Sequence, residues 1–144
     1  MTVRRVRDDE RAAYQRMRLA LWPDCDESEV GSWLASPDST TFVAERADGS
    51  LGGFVEVGTR KYAEGCATSP VGYIEGWWVD EDMRRSGVGR ALLRAAEDWA
   101  RGMGYSEMGS DALLDNDVSH AAHRHCGYEE VERVVTYRKT LGAS

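Results

Sequence analysis

The stretch from Trp77 to Leu93 constrains this chain more than any other. An apolar run, Trp77-Trp78-Val79, meets three acids, Asp80-Glu81-Asp82. Then Arg84-Arg85-Ser86-Gly87-Val88-Gly89-Arg90 passes directly into Ala91-Leu92-Leu93. A strand pattern, a glycine-rich turn and a helix pattern in that order require a β-α unit. The helix is predicted from Gly87 to about Met103, with Val88, Leu92, Ala95, Ala96 and Trp99 along one side and Gly102 and Gly104 near its end. A short strand over Glu107 to Ser110 completes a β-α-β crossover, which places a parallel strand pair at the back of the fold.

The front half has a different character. A weakly alternating run over Thr2 to Val6 precedes Asp8-Asp9-Glu10, which offers a cap and first-turn acids for a helix reaching about Trp22 before Pro23. A second short helix is predicted over Asp26 to Ala35. Two β-rich runs, Thr40 to Arg46 and Leu51 to Thr59, flank Asp48-Gly49, a strong hairpin signal. A polar loop to Pro70 leads into a strand over Val71 to Val79. Beyond the crossover, Val118 to Cys126 reads as a helix stopped by Gly127, and Tyr128 to Leu141 reads as β-rich. The order β-α-α-β-β-β-α-β-α-β describes an α/β fold on a mixed sheet (α+β in its antiparallel front half). At 144 residues, with no linker and no repeat, residues 1–144 are read as one domain.

Eighteen Lys and Arg against twenty-five Asp and Glu leave a net charge of −7, which argues against a nucleic-acid partner and suits a cationic small substrate. Solubility alone also explains such a balance. The three cysteines, Cys25, Cys66 and Cys126, are odd in number, widely spaced and without a CxxC pair, as expected of a reducing compartment. The first residues lack the apolar stretch of a secretion signal and no window spans a bilayer, so the expectation is a cytoplasmic protein with no membrane partner.

Glycines at a helix start let main-chain N–H groups approach a diphosphate, and the helix dipole favours the anion there. The spacing is not that of a P-loop, and an ordinary turn is the competing reading. In this setting, however, Arg84-x-x-Gly87-x-Gly89 resembles the acetyl-CoA loop of the GNAT acyltransferase superfamily. The resemblance implies that amides from Arg84 to Arg90, including those of Arg85, Gly87, Val88 and Gly89, hold the CoA pyrophosphate. It implies that Trp78 and Val79 lie on the strand that pairs with the pantetheine arm, and that this strand diverges from the next. Asn116, a helix and Gly127-Tyr128 match the second landmark of the superfamily, with Asn116 on the coenzyme side. Where many members carry a tyrosine four residues before that glycine, this chain has His123, the candidate proton donor to the departing thiolate.

Glu75 stands in an apolar run and Asp111 lies just past a short strand. A buried or cleft-lining acid needs a cationic partner or a raised pKa, whereas a solvated sheet face or a simple turn residue are the plainer readings. Together with Leu21-Trp22-Pro23, Tyr62, Gly65-Cys66, Ser69-Pro70, Ser110 and the segment Glu132 to Lys139, these residues resemble the type I aminoglycoside 6'-N-acetyltransferases. The resemblance implies that Glu75 and Asp111 receive ammonium groups of the antibiotic, that Trp22 and Tyr62 wall the same pocket, and that acetylation confers resistance. Glu75, directly or through water, is the candidate base for the 6'-amine, and amides near Trp78 and Val79 are candidates to stabilise the thioester oxygen.

His120, His123 and His125 fall close together but lack a second ligand cluster at zinc spacing, so no metal is expected. The expected co-substrate is acetyl-CoA. Similar enzymes are often homodimers, and the β-rich tail is suited to pairing with a partner's sheet edge. Two further readings stay open: a GNAT enzyme acting on another amine, such as a polyamine or a protein N-terminus, and a non-catalytic CoA-binding module.

Overall fold

The Asp48-Gly49 turn forms as its residue types dictate. Gly49 sits at φ 91°, and the Asp48 carboxylate accepts hydrogen bonds from both the N–H and the hydroxyl of Ser50. This turn joins β2 (Ser39–Glu45) to β3 (Leu51–Arg60) in the computed structural model, which describes residues 1–143. β1 (Thr2–Arg5) pairs antiparallel with β2, β3 pairs antiparallel with β4 (Val71–Val79), and β4 pairs parallel with β5 (Met108–Ser110). The spatial order is β1-β2-β3-β4-β5.

Helices α1 (Arg11–Leu21) and α2 (Glu29–Ala35) belong to one face of this sheet and α3 (Val88–Gly102) to the other. On the first face Tyr14, Met17, Val30, Val43, Leu51 and Phe54 form a buried cluster, with Trp22, Leu34 and Trp78 packed against it. On the second, Leu92, Leu93, Ala96 and Ala100 of α3 are buried, and β-carbons placed on Gly53 and Gly72 would meet Leu92 and Ala100. These residues and Met1 to Asp111 as a whole make one compact unit; a second unit begins at Ala112.

In the second unit, α4 (Asp117–His125) is capped by Asn116, whose side chain accepts the Ser119 N–H at 3.1 Å. Gly127 ends it at φ 88°, with the Gly127 and Tyr128 N–H groups bonded back to Arg124 and His123.

Three expectations need correction. Asp8-Asp9-Glu10 forms its own 3-10 turn before α1 instead of serving as its first helical turn. α2 starts at Glu29, not Asp26, because the Asp26 carboxylate takes the Ser28 N–H at 2.9 Å in a local turn that competes with helix. Among the described residues no strand lies between Tyr128 and Leu141. Val131, Val134, Val135, Tyr137 and Leu141 are exposed there, and β-type residues form a strand only where a neighbouring backbone supplies the ladder. Among the described residues no helix is long and apolar enough to cross a membrane, and no group of side chains could hold a metal ion.

β1 is tied to the rest of its unit by charge. Arg4 donates to Glu45 at 2.9 Å and to both oxygens of Glu10 at 2.8 and 2.7 Å. The bonds from Arg4 hold the Glu10 carboxyl down at about 2. A carboxyl lowered in the folded state stabilises above its ordinary range, and that contribution fades as pH falls from about 4.5 toward 2. Glu10→Gln is therefore expected to lower the urea midpoint at pH 7, and the gap from the parent protein should close as the titration is repeated toward pH 2.

Candidate active site

Glu75 owes its position to an irregularity in the β3–β4 ladder. Glu56 pairs with Gly76 and Val57 pairs with Ile74, so Glu75 is an extra residue in β4. Such a bulge re-aims a side chain that strict alternation would send elsewhere. β4 and β5 pair over Gly72–Met108, Tyr73–Gly109 and Ile74–Ser110, where the ladder ends, while β4 continues to Val79 along β3. The strands thus part company at the bulge, as the superfamily resemblance implied.

Glu75 lines a pocket of about 360 Å³ with Tyr14, Arg18, Trp22, Cys25, Glu29, Val30, Trp33 and Glu56. Trp22 acts as both core residue and wall: its ring lies 6.1 Å from that of Phe54, and a β-carbon on Gly76 would run into the indole. Trp22 itself therefore fills the gap that Gly76 leaves beside Glu75. Tyr62 is 70% exposed on the loop after β3 and does not line this pocket. Asp111 does not line it either; its Oδ2 accepts the Tyr73 hydroxyl at 2.7 Å. The structure thus groups Trp22 with Glu75 and leaves Tyr62 and Asp111 outside the cavity, within the same unit.

Two pocket residues were missed in the sequence. Glu56 is 5% exposed, and burial pushes its carboxyl above the usual range although the Arg18 charge opposes this. Arg18 is 4% exposed; its Nε lies 3.5 Å from Glu56 without hydrogen-bonding geometry, while its other nitrogens bond to the Gln15 side chain, the Asp26 carbonyl and the Glu29 carboxylate. Burial works against the Arg18 charge, but Glu56 and Glu29 outweigh it and leave its pKa raised. Tyr14 donates to or accepts from Thr41 at 2.8 Å, and burial raises its hydroxyl pKa. The signal for Glu56 was the one used for Glu75, a single acid in an apolar run, here Gly53-Phe54-Val55-Glu56-Val57-Gly58.

At the far end of β4 the turn into α3 is built for an anion. Arg85 and Gly87 adopt φ values of 62° and 85°, a backbone form that turns successive N–H groups toward one concavity, and Gly87 leads into the N-terminus of α3. A β-carbon on Gly89 would press on the Trp77 ring, whose Nε1 donates to the Gly89 carbonyl at 3.2 Å. Arg84 braces the turn, with its Nε donating to the Val79 carbonyl at 2.8 Å and its guanidinium over Trp78. Arg90 is exposed on the first turn of α3. Asp80 N–H donates to Gly52 and Trp78 pairs with Phe54, so ladder alternation turns the Trp78 N–H toward β3 and that of Val79 toward the opposite side. These features fit a coenzyme pyrophosphate and identify Val79, not Trp78, as the amide facing the gap.

In the second unit, His123 Nδ1 lies 2.7 Å from the Ser119 carbonyl, which only accepts, so this nitrogen carries the proton. The ring packs edge-on to Tyr128.

The acetyltransferase (GNAT) family model matches residues 3–128. The chain belongs to that family. Within it, the chain is 44% identical to the aminoglycoside N(6')-acetyltransferase type 1 of Stenotrophomonas maltophilia, over 99% of this chain and 95% of that protein. The enzyme of the same name from Klebsiella aerogenes is 42% identical, over 96% of each. The GNAT fold is shared with the crystal structure of an aminoglycoside antibiotic 6'-N-acetyltransferase from Acinetobacter haemolyticus, at a TM-score of 0.91 and 35% identity, covering 99% of this chain and 100% of that one. AAC(6')-Iy in complex with the bisubstrate analogue CoA-S-monomethyl-acetylneamine gives 0.90 at 32% identity, covering 97% and 98%.

Removing one member of a buried ion pair strands the other. Arg18→Met is expected to cost about 3–5 kcal/mol in chemical denaturation, and adding Glu56→Gln to that variant should recover most of the loss.

Proposed function

We propose that this chain is an acetyl-CoA-dependent aminoglycoside 6'-N-acetyltransferase that protects a bacterium from the antibiotic. The observation that carries the reading is the position of Glu75, which lines an acid- and tryptophan-walled pocket at the point where β4 leaves β5. Relatives of that name, matched over nearly the full length of both chains, support it.

Acetyl-CoA supplies the acetyl group already activated as a thioester. Amides from Arg84 to Arg90, with the Arg85 and Arg90 side chains, hold its pyrophosphate. The Val79 N–H stabilises charge on the thioester oxygen. On the acceptor side, Glu75, Glu56 and Glu29 attract a polycation, Trp22 gives the sugar a flat wall, and Tyr62 and Asp111 extend the surface beyond the cavity. The 6'-amine is an ammonium ion near neutral pH and must lose a proton before attack; the Glu75 carboxylate takes it. The amine then attacks directly, with both substrates bound: its nitrogen bonds to the acetyl carbon as the carbon–sulfur bond breaks, and CoA departs with the sulfur. No cysteine is required in this scheme.

Residues 1–144 act as one catalytic domain, a reading supported by a family match over residues 3–128, which takes in the first compact unit from residue 3 and the start of the second. The three cysteines form no disulfide and suit a reducing cytoplasm. The exposed apolar side chains between Val131 and Leu141 suit strand pairing with a second copy, giving a homodimer.

Purified protein mixed with acetyl-CoA and kanamycin or tobramycin is expected to release CoA; preference for a polyamine or a peptide N-terminus would shift the acceptor assignment, and CoA binding without any acetylation would indicate a binding module. Glu75→Gln should lower kcat/KM by about 100-fold or more while leaving CoA affinity intact, as measured by steady-state kinetics and calorimetry. Sedimentation should find a dimer for the full chain and a monomer once the residues after Tyr128 are deleted.

A further inference from the structure

The carboxylate assigned to receive the acceptor is already occupied. Arg60, the last residue of β3, donates from Nε to Glu75 Oε2 at 3.0 Å and from Nη2 to Oε1 at 2.7 Å, so both oxygens of Glu75 are engaged by one guanidinium. The same guanidinium lies 3.5 Å from the centre of the Tyr73 ring, and the Tyr73 hydroxyl donates to Asp111. Arg60 therefore sits over the ring that links the two acids expected to bind ammonium groups, in contact with the first and within electrostatic reach of the second.

Arg60 differs from the other pocket arginine in how firmly it is held. Arg18 is buried and bonded to three separate groups, whereas the Arg60 side chain is 38% exposed and among the described residues its ion pair is with Glu75. The pair is bidentate and stacked on Tyr73, yet both side chains stay partly open to water, at 38% and 31%, so the guanidinium can be exchanged for another cation. An incoming ammonium cannot take both oxygens of Glu75 while the arginine fork remains.

We propose that Arg60 is a specificity-determining residue, an internal cation on Glu75 that acceptors must displace, so that sugars carrying several ammonium groups enter and those carrying one are disfavoured. The inference rests on the aminoglycoside reading above. The obstacle is a penalty common to every acceptor: a polycation, with further contacts to Glu56, Glu29 and Asp111, still binds at working concentrations, whereas a monocation, with only Glu75 to gain, is pushed above them. Displacement also uncovers the Glu75 carboxylate only when a suitable amine is at hand, which keeps the base neutralised between turnovers.

The test compares the parent protein, Arg60→Gln and Arg60→Lys with two acceptors bearing a 6-amine, kanamycin and 6-amino-6-deoxyglucose. In Arg60→Gln the KM for both acceptors should fall about fivefold, the scale of an exposed ion pair, with kcat within about twofold. Lysine, which keeps the charge without the fork, should give an intermediate fall. Millimolar methylguanidinium should raise the monoamine KM of Arg60→Gln back toward the parent value and leave the parent unaffected. If the parent turns over kanamycin but neither KM moves in either variant, the Arg60 proposal is wrong and the enzyme assignment stands. A fall in kcat at constant KM would make Arg60 a positioning residue for Glu75 and also overturns it. Absence of turnover with any amino sugar sinks both readings.

Discussion

β4 is paired along its whole length with β3 but only as far as Ile74 with β5, and that unequal pairing governs the site. The continuous ladder keeps the strand rigid where its second neighbour has left. The parting exposes one backbone edge of β4 toward a gap, the bulge delivers Glu75 at the mouth of that gap, and the turn after Val79 faces it with oriented amides. In the proposed function, acceptor and donor lie along one strand, at Glu75 in its middle and at the turn after Val79, so the distance between them is set by backbone hydrogen bonds instead of by loops.

Charge completes what the backbone begins. The pocket concentrates three carboxylates against one buried arginine, and the net charge of the whole chain is of the same sign. Burial of the Glu56–Arg18 pair is costly, and its retention in the wall of the cavity ties the tilt of α1 to β3. Glu75 is placed differently, its side chain 31% exposed and paired with the partly exposed Arg60. The contrast separates a carboxylate that shapes the pocket from the one proposed to act as base.

Much of this was legible in residue order. The strand Val71–Val79 was delimited correctly because Pro70 and the three acids punctuate both ends, and α3 followed from its apolar stripe and its glycines. Glu75 stood out as a lone acid in an apolar run. The bulge that aims it did not, since an extra residue in a ladder depends on the partner strand and leaves no mark in the strand itself. Arg60 and Arg18 were overlooked for a related reason: each matters through a carboxylate on another element, 15 residues away for the Arg60–Glu75 pair. The segment after Tyr128 illustrates the reverse error. Its composition favours a strand, yet composition cannot supply the second backbone a strand requires.

Trp22 packs on Phe54 in the core and at the same time forms a wall of the pocket, with its indole filling the notch that Gly76 leaves in β4. The hydrophobic interior and the proposed acceptor surface therefore share atoms. A change that loosens the packing of α1 would alter which sugars fit, and selection for a new antibiotic would be felt as a change in folding stability. Evolution of resistance spectrum in such a protein is coupled to its thermal tolerance.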